Sequence, residues 1–348
     1  MRSQRLPAAI LTALGLLVLT AAFLTPGQPR LVPTGLPSED PVTALAAGDG
    51  GSLLAATQAG EVWRHRDGLW SRAGIDPQER VVTVLIGEPR DHPVGTSSGL
   101  WWQTGVPLVA KPRVLDILEL DDGLVLATAD GVQILADGRW HQPITGLFAY
   151  RLEAQMQDGQ QYLNVATIGD GVYSVRAEQR LEAWQPNSRG LPEGVKVLSF
   201  AVTAGGRLLA GTDQGLFWQD APSQPWQHLA AGLADRRILA LDLAPADEVD
   251  SQRLWIGSDD GLLAIDLAEY PDKLEARAPA RTVARLDEGG IGIGGILPRG
   301  EGLAVSAGTV YELRDVHSGA WLLMTLGGLG LLVVGGWLGL RSTSRAAS

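Results

Sequence analysis

The chain has 348 residues, of which 44 are glycine, 11 are tryptophan and none is cysteine; charged side chains make up 19% and the net charge is −11. That balance argues against a nucleic-acid binder, which needs a basic footprint, and the missing cysteines exclude disulfide frameworks, thiolate metal sites and cysteine nucleophiles. Abundant glycine and tryptophan suit a turn-rich β protein, because glycine punctuates turns and indole rings pack well on sheets.

The first element is apolar. No residue from Leu6 to Pro29 is charged, and Ala8 to Leu24 is almost wholly apolar behind Arg2 and Arg5. Two readings stand: a cleaved secretory signal, or an uncleaved signal anchor. Thr20 and Ala22 offer small residues for a cleavage site, although the A-x-A pattern is imperfect. Either way the following chain is exported. The segment is expected to cover residues 1–28.

From Arg30 to Asp315 the chain repeats itself. The clearest copy runs through Gly232-Leu233, the apolar strand Ile238-Leu239-Ala240-Leu241, and then Leu254-Trp255-Ile256-Gly257-Ser258-Asp259-Asp260-Gly261-Leu262. The skeleton is a Gly-Leu turn, an apolar strand, a second strand ending in Gly-Ser/Thr, a two-residue turn, and a glycine opening a third strand. It recurs at Ala56-Thr57 to Gly60, Gly95-Thr96 to Gly99, Ala127-Thr128 to Gly131, Ala166-Thr167 to Gly171, Gly211-Thr212 to Gly215, and Ser306 to Gly308. The marker glycines 60, 99, 131, 171, 215, 261 and 308 lie 32 to 47 residues apart. This is the length of a four-stranded propeller blade. Fourth strands carrying tryptophan are predicted at Leu69-Trp70-Ser71, Arg139-Trp140-His141, Ala183-Trp184-Gln185 and Pro225-Trp226-Gln227. The predicted fold is an all-β, seven-bladed β-propeller over residues 29–316.

Leu254-Trp255-Ile256-Gly257-Ser258 with Gly261-Leu262 resembles the two-component-regulator propeller repeat, within the wider YVTN/BNR-like and photosystem-II-assembly-type propellers. The resemblance covers the middle of the chain, best over residues 190–266. It implies a propeller with an extracytoplasmic sensing or scaffolding role. The chain departs from the regulators in showing no histidine-kinase or DNA-binding region, and from sialidases in lacking full Asp-boxes.

The seventh copy reaches only its third strand, Val310-Tyr311-Glu312-Leu313-Arg314, before the chain turns apolar. Residues 29–33 precede a Gly-Leu pair and are predicted to supply the missing fourth strand, closing the ring. Ala320 to Leu340 then forms 21 uncharged residues, about 31 Å of helix, enough to cross a membrane. Trp321 and Trp337 flank it, and Arg341 and Arg345 follow. By the positive-inside rule residues 317–348 are a transmembrane helix with a cytoplasmic tail, and Arg2 and Arg5 place the other end on the same side. The propeller is thus expected at the cell membrane on the extracytoplasmic side, tethered at one face, with the opposite face free for a protein partner.

A basic residue just before the innermost strand of several copies, Arg80, Arg113, Arg151, Lys196 and Arg237, suggests a positive ring at the channel mouth. Such a ring would attract an anionic ligand or acidic partner loop; solvated side chains at a tolerated repeat position are the bland alternative. No metal site, cofactor or catalytic residue is expected. His65, His92, His141, His228 and His317 are scattered, while Asp116 and Glu153 fall in innermost strands of adjacent blades. The expected function is a non-catalytic scaffold or assembly and stability factor of an envelope complex. The alternatives are a ligand-binding sensor signalling through its membrane segments, and a propeller lyase or hydrolase.

Overall fold

The computed structural model describes residues 5–73, 81–102, 106–110, 112–182, 184–229, 231–245, 251–270, 273–286, 291–299, 302–317 and 319–344. Leu31–Leu313 forms one compact unit, and the residues up to Arg30 with those from Arg314 form another.

Seven antiparallel sheets make up the first unit, and each begins with an inner strand: Val42–Ala47, Val82–Val84, Val114–Leu120, Ala149–Gln157, Val197–Val202, Ile238–Pro245 and Gly295–Arg299. Each inner strand touches the next, and the seventh touches the first. This is a seven-bladed β-propeller. Six blades take all their strands in chain order. In the seventh sheet the order is Gln28–Pro33, Thr309–Val316, Gly302–Ala307, Gly295–Arg299. Just past the first of these, the Thr34 amide and hydroxyl both donate to the Val310 carbonyl, each at 3.0 Å.

The repeated motif has a physical basis in one hairpin. The buried hydroxyls of Thr96, Thr128, Thr212 and Ser258 donate to the carbonyls of Gly99, Gly131, Gly215 and Gly261 at 2.8, 2.8, 2.9 and 3.0 Å. In the first three turns the same oxygen accepts an amide, from Ser98, Asp130 or Gln214. One hydroxyl thus satisfies both a buried carbonyl and a turn N–H. The glycine is required twice over at Gly131. Its φ is +100, where an L side chain is strained, and a Cβ there would lie 2.1 Å from the carbonyl oxygen of Ile144 in the outer strand.

The small residue before the hydroxyl is what lets blades approach. A Cβ on Gly211 would stand 2.6 Å from Cγ2 of Ile238 in the next blade, and one on Gly257 would stand 2.3 Å from the Ile293 carbonyl oxygen. Around these contacts the core forms as clusters shared between neighbouring blades: Leu216, Trp218, Leu233, Ile238, Leu254 and Ile256 pack together across blades five and six.

The outer strands differ from expectation in two places. Those of blades four and five begin after their tryptophans, at Gln185 and Gln227. Trp184 and Trp226 instead turn inward and are buried, donating their indole N–H groups to Arg180 O at 3.0 Å and Asn187 O at 2.7 Å. A buried indole needs such an acceptor, and the loops supply it. The sixth blade splits its outer strand: Lys273–Ala276 pairs with the end of Gly261–Tyr270 and Arg281–Arg285 with its start.

In the second unit, helix α1 is Arg5–Leu24 and helix α2 is Gly319–Ser344. Ala320–Leu338 within α2 is long and apolar enough to cross a membrane, and Ala8–Leu24 in α1 is a shorter apolar stretch. Arg2 and Arg345 lie outside the described residues.

Gly257→Ala should lower stability by roughly 1–3 kcal/mol through overpacking against the next blade. Gly302→Ala, whose new methyl would meet only an ordinary 3.5 Å contact, should stay within about 0.5 kcal/mol; denaturant titration of both variants gives the comparison. Thr128→Val, which keeps the shape and removes the hydroxyl, should cost about 1–2 kcal/mol in the same titration.

Candidate functional site at the central channel

Six inner strands carry the same irregularity near their start. Register slips by one residue between Val42 and Ala44, Val82 and Val84, Val114 and Asp116, Ala149 and Arg151, Val197 and Ser199, and Ile238 and Ala240. The skipped residue is a β-bulge, which re-aims the side chains that follow. Two of the bulged residues are threonines that join blades: Thr43 Oγ1 donates to Val82 O at 2.6 Å, and Thr83 Oγ1 donates to Val114 O.

Past the bulges, the inner strands line a central cavity of about 270 Å³ whose walls include Thr43, Thr83, Asp116, Arg151, Glu153 and Ser199. Asp116 is held on both oxygens: Oδ1 accepts the Ile117 amide at 3.0 Å and Oδ2 accepts the Leu152 amide of the next blade at 2.8 Å. Arg151 Nη1 donates back to Leu115 O at 3.0 Å and to Tyr150 O at 3.2 Å, with its guanidinium 4.5 Å from the centre of the Tyr150 ring. The third and fourth blades are therefore clasped from both sides. Glu153 Oε1 accepts the Ala154 amide at 3.2 Å.

The electrostatics follow from burial. Loss of water pushes the Asp116 carboxyl up, against the opposing Arg151 charge and the two amides. Glu153 is raised to about 7, chiefly by burial and then by the Asp116 and Asp242 charges. Asp242 is raised to about 6 by burial, opposed by the Leu243 amide, which its Oδ1 accepts at 2.7 Å. Burial thus raises three inner-strand carboxyls, those of Asp116, Glu153 and Asp242. Asp116 and Glu153, expected to face the channel, do so; Asp242 was not singled out in the sequence. Its signal is positional, since Asp242 stands four residues into its inner strand, as Glu153 does in blade four.

The basic ring is only partly assembled. Arg113, Lys196 and Arg237 immediately precede their inner strands and are exposed, at one end of the ring. The Lys196 amide donates to Asp213 Oδ1 at 3.0 Å, and Arg237 reaches Asp259 at 3.5 Å. Arg151 is a correction. It sits two residues inside Ala149–Gln157, past the bulge, and so lines the channel wall rather than its mouth. Phe148 holds the position before that strand. Arg80 lies outside the described residues. His141 and His228 are exposed on outer strands, and among the described residues no three His, Cys, Asp or Glu side chains are placed to hold a metal ion.

Residues 7–242 match the family described as "Beta-prop_HVO_0234:-like, beta propeller", and the chain belongs to that family. No curated protein matches the sequence. Among solved structures the chain is similar to the extracellular domain of the BT4673 hybrid two-component system from B. thetaiotaomicron, at 15% identity and a TM-score of 0.61. That match covers 84% of this chain and 40% of the other, so the chain spans under half of that protein's length. It is similar to YCF48 bound to D1 peptide, at 14% identity and a TM-score of 0.54 over 85% of this chain and 99% of that one. An ancestral GH74 enzyme matches at 16% identity and a TM-score of 0.60, over 85% of this chain and 46% of that one. At these identities the likeness concerns the fold.

The pH dependence of stability follows from Glu153. A carboxyl raised on folding stabilises the fold in its protonated form. That contribution is whole below the ordinary value of 4.5 and is lost as pH rises through about 7. Glu153→Gln should therefore flatten the fall in stability between pH 5 and pH 8. At pH 8 the variant should exceed the parent by roughly 1–3 kcal/mol, read by denaturant titration across that range.

Proposed function

We propose that this chain is a non-catalytic, membrane-anchored propeller on the extracytoplasmic side, serving as a docking scaffold or assembly factor for an envelope protein complex. One observation carries the reading: the polarity of the ring. The sheet that takes both ends of the propeller has its fourth strand starting at Gln28 and its third strand ending at Val316. By strand direction both lie at the end of the ring opposite Arg113, Lys196 and Arg237, which stand at the starts of inner strands. With the Ala320–Leu338 helix as a membrane anchor, the end bearing Arg113, Lys196 and Arg237, where Asp213 and Asp259 stand beside the last two, is the face this reading offers to a partner. The strand Gln28–Pro33 beside Thr309–Val316 then has a mechanical role. It closes the ring with backbone hydrogen bonds, so that a pull on either terminal segment loads the ladder in shear.

The channel favours stiffness over chemistry in this reading. Asp116 spends both oxygens on backbone amides, and Arg151 spends two donors on carbonyls. The peptide-bound state of YCF48 lends support to a scaffold on this fold, while the two-component extracellular domains lend support to the sensor alternative. Reversing Arg113, Lys196 and Arg237 to glutamate together should abolish recovery of the co-purifying partner from mild-detergent extracts, with the melting temperature unchanged. Undiminished recovery would remove the basic end from the docking surface.

A further inference from the structure

We propose that helix α1 is retained in the mature protein and forms with α2 a glycine-seamed antiparallel pair crossing the membrane twice, an inference that rests on the membrane-anchoring reading above. The sequence leaves the amino-terminal segment open between a discarded signal and a permanent anchor. The packing within the two-helix unit separates these.

Burial along α1 is periodic. Ala8, Gly15 and Ala22 are buried and Leu11, Thr12, Val18 and Leu19 are half-buried, whereas Leu16 and Leu17 between them are exposed. Residues 8, 12, 15, 19 and 22 recur at alternating steps of four and three, one stripe of a helix. On α2 the buried positions are Gly328 and Gly335, with Trp321, Thr325 and Leu332 half-buried on the same stripe. Elsewhere both helices present large apolar side chains outward, Leu17 at 67%, Leu323 at 72% and Val333 at 71% exposure. That outer surface suits lipid, while the inner stripe suits another helix.

The two stripes meet backbone to backbone. A Cβ on Gly15 would lie 2.9 Å from Gly328 O and 3.0 Å from Leu332 N. One on Gly328 would lie 2.7 Å from Leu19 Cγ, and one on Gly335 would lie 2.5 Å from Thr12 Oγ1 and 3.0 Å from Thr12 N. Gly327, Gly330 and Gly336, on the remaining surface of α2, have nothing within 4 Å of such a Cβ. Only the glycines facing α1 are held in close contact. In lipid, where the hydrophobic effect does not draw helices together, close approach at small residues is what stabilises a pair. A leader destined for removal needs no matched surface on the chain it leaves.

The same geometry accounts for the small residues that suggested a cleavage site. Ala22 is fully buried and falls on the seam stripe. Thr20 lies in continuous helix, with its hydroxyl donating to Leu16 O at 2.8 Å. Proteolysis needs accessible, unfolded backbone, and here the backbone through Leu24 is helical. At about 1.5 Å per residue, the apolar stretch Ala8–Leu24 reaches about 26 Å, at the short limit of a membrane-spanning helix.

The test uses the full chain with a carboxy-terminal affinity tag, recovered from carbonate-washed membranes and measured by intact mass. The expected mass includes α1. The cysteine-free sequence allows a second readout: Thr12→Cys combined with Gly335→Cys should form an intramolecular disulfide in membranes under mild oxidation. Leu17→Cys with Val333→Cys, both on exposed faces, should not. A membrane-bound chain lacking its first 20 to 24 residues would overturn the paired helices and leave anchoring by α2 intact. A full-mass chain whose seam pair crosslinks no better than the exposed pair would also overturn it. Recovery in the carbonate supernatant would overturn the pair together with the anchoring it rests on.

Discussion

A buried hydroxyl bonded across a hairpin to a glycine carbonyl recurs in five of the seven blades and holds their second and third strands in register. Thr96, Thr128, Thr167, Thr212 and Ser258 all make this bond. Because the hydroxyl is buried, its absence would strand polar backbone atoms away from water. Because the turn is tight, the acceptor residue must tolerate a positive φ. The preceding position must be small, since Gly211 and Gly257 lie directly under the next blade. Three positions within a few residues of one another thus set the hairpin, the turn and the spacing between sheets.

Inside the ring, the inner strands trade regular pairing for cross-links. Each bulge shifts the alternation of side chains by one, so residues beyond it face where a simple period of two would not place them. Thr43 and Thr83 reach the following blade through this shift, and Asp116 and Arg151 clasp blades three and four. The result is a narrow polar axis in which carboxyls are costly to charge. Asp116 is offset by its amides and by Arg151, whereas Glu153 and Asp242 keep raised proton affinity.

The terminal helices apply the same rule of close approach. Gly15, Gly328 and Gly335 do between helices what Gly211 and Gly257 do between sheets: they remove the one atom that would hold two backbones apart. In the propeller, burial of apolar surface from water drives the contact. In the membrane setting proposed above, dispersion at short range takes that part between α1 and α2.

The seven repeats and the glycine turns that mark them were legible in the sequence, because each depends on residues within a few positions of one another. The apolar termini were legible for the same reason. What the tertiary structure decided is non-local. Arg151 reads as a mouth residue until the start of its strand and the bulge at Tyr150 carry it into the channel wall. Trp184 and Trp226 read as strand residues until loop carbonyls claim their indoles. Asp242 comes to bear on Glu153 only when blades four and six face one axis. Which stripe of α1 is covered, with Ala22 on it, is set by α2, some 300 positions away in the chain. A one-residue shift in a strand reverses the side a residue faces, and nothing local in the sequence records it.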